Sequence, residues 1–138
     1  MFRPIACALV LCAATVSALA AGAIDPAKFR LTPVLLDRMD AVQNDLKAVS
    51  KGDGEKDADV ESIEELAREL QADPRIRAAL AKHKISSTEY ATGVFAALHA
   101  GMYRATESAA NKKQQAAALA SFTPEQRANI ELLRGRKK

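Results

Sequence analysis

Asp73-Pro74-Arg75-Ile76-Arg77-Ala78-Ala79-Leu80-Ala81-Lys82-His83-Lys84-Ile85-Ser86-Ser87-Thr88-Glu89-Tyr90 holds two helix starts and the corner between them. Asp73 can cap a helix, and Pro74 suits the first helical position, where a missing N–H costs nothing. Ser86 with Glu89 three residues on forms a capping-box pattern. Ile85 before that cap and Tyr90 four residues after it have the spacing of a hydrophobic staple, which sets the entry angle of the chain. Two helices therefore meet at one short corner, and the rest of the chain is expected to pack around it.

The same grammar recurs on both sides. Leu31-Thr32-Pro33 is a cap followed by proline, and Leu35, Met39, Val42, Leu46 and Val49 then mark one helical face. That helix is expected to end near Lys51-Gly52. A second helix is expected from about Val60 to Gln71, with Val60, Ile63, Leu66, Ala67 and Leu70 inward, and a third from Pro74 to about Lys82, with Ile76, Ala79 and Leu80 inward. From Ser87 the pattern is apolar on more than one side. Tyr90, Val94, Ala97, Leu98, Gly101 and Met102 form a stripe that Phe95 and Tyr103 widen, as in a helix at the middle of a bundle. Residues 105–120 permit helix but lack a pattern, so they read equally as an extension, a break or a frayed end. Thr123-Pro124-Glu125-Gln126 starts a last helix with Ile130 and Leu133 inward. No alternating apolar run competes with these helices. The expected fold is all-α, a compact bundle of four to five helices.

Residues 1–20 read as a signal peptide. Arg3 precedes an apolar run from Ile5 to Val16, and Ala18-Leu19-Ala20 offers a cleavage site, with a second one as late as Ala23. A membrane span needs about 20 apolar residues, and this run is shorter. The expected division is then a flexible lead-in over 21–30, a single helical domain over 31–133 and a basic tail over 134–138. Cleavage leaves about 115 to 118 residues, the size of one domain. It also removes Cys7 and Cys12, and with them disulfides, thiolate catalysis and cysteine metal sites. The expected location is periplasmic or secreted, without a transmembrane span after cleavage.

Charge is polarised along the chain. Gly52–Asp73 holds two basic and nine acidic residues, whereas Pro74–Lys138 holds twelve basic and four acidic. The two halves can pair internally, or the basic half can meet an anionic component of the envelope. Lys112-Lys113 and Arg134 to Lys138 lack interleaved aromatics, and nucleic acid is not an expected partner.

One stretch has metal-ligand spacing. With Asp53 as position 1, Glu55, Asp57, Asp59 and Glu64 fall at positions 3, 5, 7 and 12, near the pattern of a calcium loop. Ala58 stands where such a loop turns on glycine, and the alternative is a solvated acidic loop beside a helix N-terminus. His83 and His99 are the two histidines, and His99 shares a helix face with Phe95 and Tyr103. No histidine pair at ligand spacing, nucleophile elbow or glycine-rich phosphate loop accompanies them. The reading is non-enzymatic, with no cofactor other than calcium at that loop.

Two resemblances add to this. Asp73 to Leu80, Ile85-Ser86, Glu89-Tyr90 and Asn129-Ile130-Glu131-Leu132-Leu133 resemble a group of small exported helical proteins of Gram-negative bacteria whose function is uncharacterised. Members tend to carry glycine at the corner where this chain has Lys84. That resemblance implies a periplasmic setting and no particular activity. Phe122-Thr123-Pro124-Glu125-Gln126 and, less fully, Leu31-Thr32-Pro33 are similar to the Leu-Thr-x-x-Gln motif of Spy-type periplasmic chaperones, helical dimers that cradle unfolded clients. The function expected is a binding or interaction role in the cell envelope, toward a protein or an anionic envelope component. The alternatives are a chaperone or stress-protective protein, and a calcium binder through 53–64. A homodimer follows if the central helix is more apolar than its neighbours can cover.

Overall fold

The computed structural model describes residues 24–49 and 60–136. Six α-helices follow a 3-10 turn at Pro26–Lys28: α1 Pro33–Val49, α2 Ile63–Ala72, α3 Pro74–Lys82, α4 Ser87–Glu107, α5 Lys112–Ser121 and α6 Pro124–Gly135. Among the described residues there is no strand, so the fold is all-α, with one helix more than the upper expectation. The extra helix comes from residues 105–120, which break. Asn111 caps α5 in a reciprocal box with Gln114, and Gln115 Nε2 donates to the Glu107 and Ala110 carbonyls, satisfying the end of α4.

The remaining starts follow local chemistry. Thr32 Oγ1 accepts from Leu35 N–H at 3.1 Å, and Ser62 Oγ accepts from Glu65 N–H at 3.1 Å. Because Ser62 takes the cap position, α2 begins at Ile63 and not at Val60. Asp73 ends α2 and caps α3, its Oδ1 accepting from Arg75 N–H at 2.8 Å.

The corner between α3 and α4 is built as a Schellman motif. Ile85 N–H donates to Leu80 O and Lys84 N–H to Ala81 O, while Ile85 and Leu80 are both buried in the core. Ser86 Oγ then accepts from Glu89 N–H at 3.0 Å, so the serine half of the anticipated box is formed. Lys84 has φ of 54°, the left-handed conformation that favours glycine. Lys84→Gly is therefore expected to stabilise the fold by about 0.5–1 kcal/mol, the cost of a β-carbon there less the added chain entropy of glycine. A urea melt with no gain, or a loss, would contradict this.

α4 is the axis of the molecule. Tyr90, Ala91, Thr92 and Gly93 are buried in succession, in a helix against which α2 and α1 pack. A β-carbon on Gly93 would stand 2.9 Å from Met39 Sδ, which marks how closely α1 approaches. Farther along, α4 packs against α6 and the 3-10 turn. The larger core joins Leu31, Leu35, Leu36, Met39 and Val42 to Ile63, Leu70, Leu80, Ile85 and Tyr90. A smaller one gathers Ala100, Tyr103 and Ile130, with Leu119, Phe122 and Leu133 against them. No residue of α5 is fully buried.

The stretch expected as a flexible lead-in is, from 24 onward, a built element. Asp25 caps the 3-10 turn, and the buried Asn129 of α6 grips the chain beyond it. Asn129 Nδ2 donates to Phe29 O and its Oδ1 accepts from Leu31 N–H, both at 2.8 Å. Thr123 Oγ1 also donates to Ala27 O. The basic tail is likewise shorter than expected. α6 runs through Gly135, Arg134 pairs with Glu107 and Glu131, and Arg136 reaches Asp37 and Asp40 on α1 at 2.9 and 2.6 Å. Those arginines are occupied inside the chain; Lys137 and Lys138 lie outside the described residues.

Asp45 of α1 accepts from Lys82 Nζ and His83 Nε2, each at 2.8 Å, and so ties α1 to the end of α3. The Lys82 hydrogen bond, and after it that from His83, hold the Asp45 carboxyl below its ordinary 3.8. A carboxyl that binds its proton less readily folded than unfolded stabilises the fold above about pH 4 and loses that contribution as pH falls further. Asp45→Asn is expected to flatten the acid limb of melting temperature against pH below about pH 4. An unchanged limb would show that the contact contributes nothing.

Candidate functional site

The second half of α4 shows one side to solvent. The expected inward stripe is corrected here: Leu98 is 56% and Met102 62% exposed, and Gly101 is open as well. The buried face is instead Gly93, Ala96, Ala100 and Tyr103, at spacings of three and four. Small residues let α6 and the 3-10 turn come close on that face, and the large apolar side chains are left outside.

Leu98 and Met102 form one rim of a groove of about 260 Å³. Its other walls are Phe95 and Ala96 of α4, Pro26 and Ala27 of the 3-10 turn, and two polar side chains, His99 and Gln126. Sequence order alone would not bring these together. The 3-10 turn reaches the groove because Asn129 and Thr123 hold it on α6. Gln126 is present because it belongs to the capping box of α6, where its Oε1 accepts from Thr123 N–H at 3.0 Å. The Thr-x-x-Gln pattern is thus used as a helix start, with its amide nitrogen left over.

That leftover nitrogen faces His99. Gln126 Nε2 stands 3.5 Å from His99 Nε2. Phe122, on the link between α5 and α6, makes edge contacts with His99 at 4.8 Å and Tyr103 at 5.4 Å between ring centroids. His99 Nδ1 and the Tyr103 hydroxyl are buried, and neither has a hydrogen-bond partner among the described residues. No carboxylate is among the residues lining the groove, so His99 has no acid beside it there. The groove is equipped to hold an apolar group and to orient it through a few polar atoms.

A second depression lies between the ends of α1 and α6, lined by Pro33, Asp37, Glu131, Leu132, Gly135 and Arg136. Its charged groups are engaged, since Arg136 bridges to Asp37 and Arg134 to Glu131. It is a seam closed by ion pairs.

The acidic stretch stands apart from both. Asp53, Glu55, Asp57 and Asp59 lie outside the described residues, while Glu64 is exposed in the first turn of α2. Among the described residues no group of three or more His, Cys, Asp or Glu is placed to hold a metal ion. His83 is engaged with Asp45 and takes no part in the groove.

The described residues form a small all-α protein with a solvent-facing apolar groove beside its central helix. The chain matches no family model, no curated protein and no solved structure. Among the described residues no helix is long and apolar enough to cross a membrane.

Proposed function

We propose that this chain is an exported helical protein of the cell envelope that binds a partner through the groove on α4 and does not catalyse a reaction. The leader-like residues 1–20 support export. The observation that carries the binding role is the more-than-half exposure of both Leu98 and Met102 along a groove that the chain's own elements wall on the other side. Scattered exposed apolar residues are ordinary on a protein surface, but a pair one helical turn apart beside an aromatic, with His99 and Gln126 in the same lining, suits recognition.

A photo-crosslinking amino acid at Met102, in a Gram-negative host, tests this. Release of the protein by osmotic shock with a start between residues 21 and 24, and a discrete crosslink at Met102 that is absent from exposed Arg77, is the expected result. Retention in the cytoplasm, or equal crosslinking at both positions, would overturn the reading. A smear of many crosslinked clients at Met102 alone would turn it toward a chaperone, for which the same exposed apolar rim is suited.

A further inference from the structure

One face of α4 changes its surroundings halfway along. Ser87, Ala91, Val94, Leu98, Gly101 and Ala105 lie on it, at alternating spacings of four and three. Ser87 and Ala91 are buried and Val94 is half-buried, whereas Leu98, Gly101 and Ala105 are exposed. α2 takes the first half of this face. Near its end, Gln71 Nε2 donates to Ser87 Oγ at 2.8 Å, and from that point the two helices run antiparallel along each other. Counted back from Gln71 to its first residue, Ile63, α2 reaches about as far as residue 95 of α4. α4 continues to Glu107, so it outruns its cover by roughly 18 Å.

Two observations say what fits there. No Asp, Glu, Lys or Arg occurs between Glu89 and Arg104. A two-fold interface sets a patch against itself, so a face without charge suits a second copy of the same chain. Gly101 is the other observation. It stands inside the helix on the exposed face, where glycine lowers stability, and a β-carbon there would meet nothing within 4 Å. Nothing among the described residues requires the glycine, but the close approach of another helix would.

We propose that a second copy of this chain covers this face, with α4 antiparallel to the partner's α4 about a two-fold axis. This rests on the binding role argued above and names the partner. Because α2 occupies the first half of the face, the axis passes through the middle of the uncovered stretch, between Gly101 and Met102. In that register Met102 lies against the partner's Gly101, and Leu98 against the partner's Ala105. Each large side chain meets a small one, and the partner helix ends about where α2 begins. A strip about 18 Å long and about 10 Å wide is well below the roughly 800 Å² per partner of a standard interface. The dimer is therefore weak, half-formed at a concentration on the order of 100 µM.

The test is analytical ultracentrifugation of the protein recovered from cells, from about 10 µM to about 500 µM, with a disulfide-trapping arm that reads the register. The parent is expected to pass from monomer to dimer over that range. Gly101→Gln has open space in the single copy, so it should melt with the parent when dilute and dimerise about tenfold more weakly. Without residues 1–20 the chain has no cysteine, so introduced thiols report alone. Under mild oxidation a mixture of Leu98→Cys and Ala105→Cys copies is expected to give a linked dimer, whereas Leu98→Cys copies alone stay unlinked because their thiols lie about two turns apart. A monomer at every concentration, a Gly101→Gln dimer as strong as the parent's, or equal linking of Leu98→Cys copies to each other would overturn the proposal. A monomer whose Met102 crosslink goes to a different molecule rejects the second copy and keeps the binding role. A monomer with no Met102 crosslink defeats both.

Discussion

Asn129→Leu is expected to destabilise the protein by about 2–4 kcal/mol, because it strands two backbone groups that have no other partner among the described residues. The Leu31 N–H and the Phe29 carbonyl both depend on the Asn129 amide at 2.8 Å, and Asn129 is 1% exposed, so water cannot replace it. Each buried group left unpaired costs about 1–3 kcal/mol. A small domain has about 5–15 kcal/mol in total, which makes this a large share. The loss should be felt at the groove too, since Phe29 and Leu31, which Asn129 holds, follow closely on Pro26 and Ala27 of its wall. Urea denaturation with a midpoint unchanged from the parent would show that the lead-in contributes nothing to the fold. Asn129→Asp should fare little better, because a carboxylate can accept from Leu31 but cannot donate to Phe29 O.

Ile130→Ala is expected to cost about 3–4 kcal/mol. Ile130 is fully buried and stands with Ala100 and Tyr103 at the centre of the smaller core, where α4, α5 and α6 meet. Ala100 across from it is already small, and the neighbouring helix α5 has no fully buried residue with which to collapse into the space. The cavity therefore stays open, which places the cost in the upper part of the range for a large-to-small change. Amide exchange should accelerate first in α5 and α6 and last in α1 to α3, whose larger core meets the smaller one at Leu133. A cost below about 1 kcal/mol, or uniform acceleration, would show that the two cores form one unit.

Much of the fold was legible because helix starts are local. Thr32, Asp73, Ser86 and Thr123 each announced a helix within four residues of sequence, and each does cap one in the structure. Ser62 and Asn111 use the same chemistry and were passed over, since Ser62 fell inside a helix expected to begin at Val60 and Asn111 lay in a stretch without pattern. The face of α4 was misjudged for a different reason. Counting large apolar residues pointed to Leu98 and Met102, but helix approach is decided by how little space a residue takes, and Gly93, Ala96 and Ala100 set the buried side. Lys84 shows a converse case, with a glycine geometry kept by a residue that carries a β-carbon.

The groove was hardly legible at all. His99 and Phe95 share a helix face, and that much could be read from a spacing of four. Pro26 and Ala27 arrive from the other end of the chain, through hydrogen bonds between residues about a hundred positions apart. Nothing local marks such a pairing. Gln126 was readable as a capping residue, yet its placement beside His99 in the groove lining was not.

The claim that matters most is that Leu98 and Met102 are apolar for the sake of a partner and not of the fold. The double variant Leu98→Gln/Met102→Gln measures this directly when its urea stability and its crosslinking, with the photo-reactive residue moved to Phe95, are read together. Surface substitutions away from packed features change stability by less than about 0.5 kcal/mol, so the variant should unfold with the parent while the crosslink disappears. A loss of more than about 2 kcal/mol, a size typical of buried apolar side chains, with the crosslink undiminished, would place these residues in a core and remove the groove from the function of this protein.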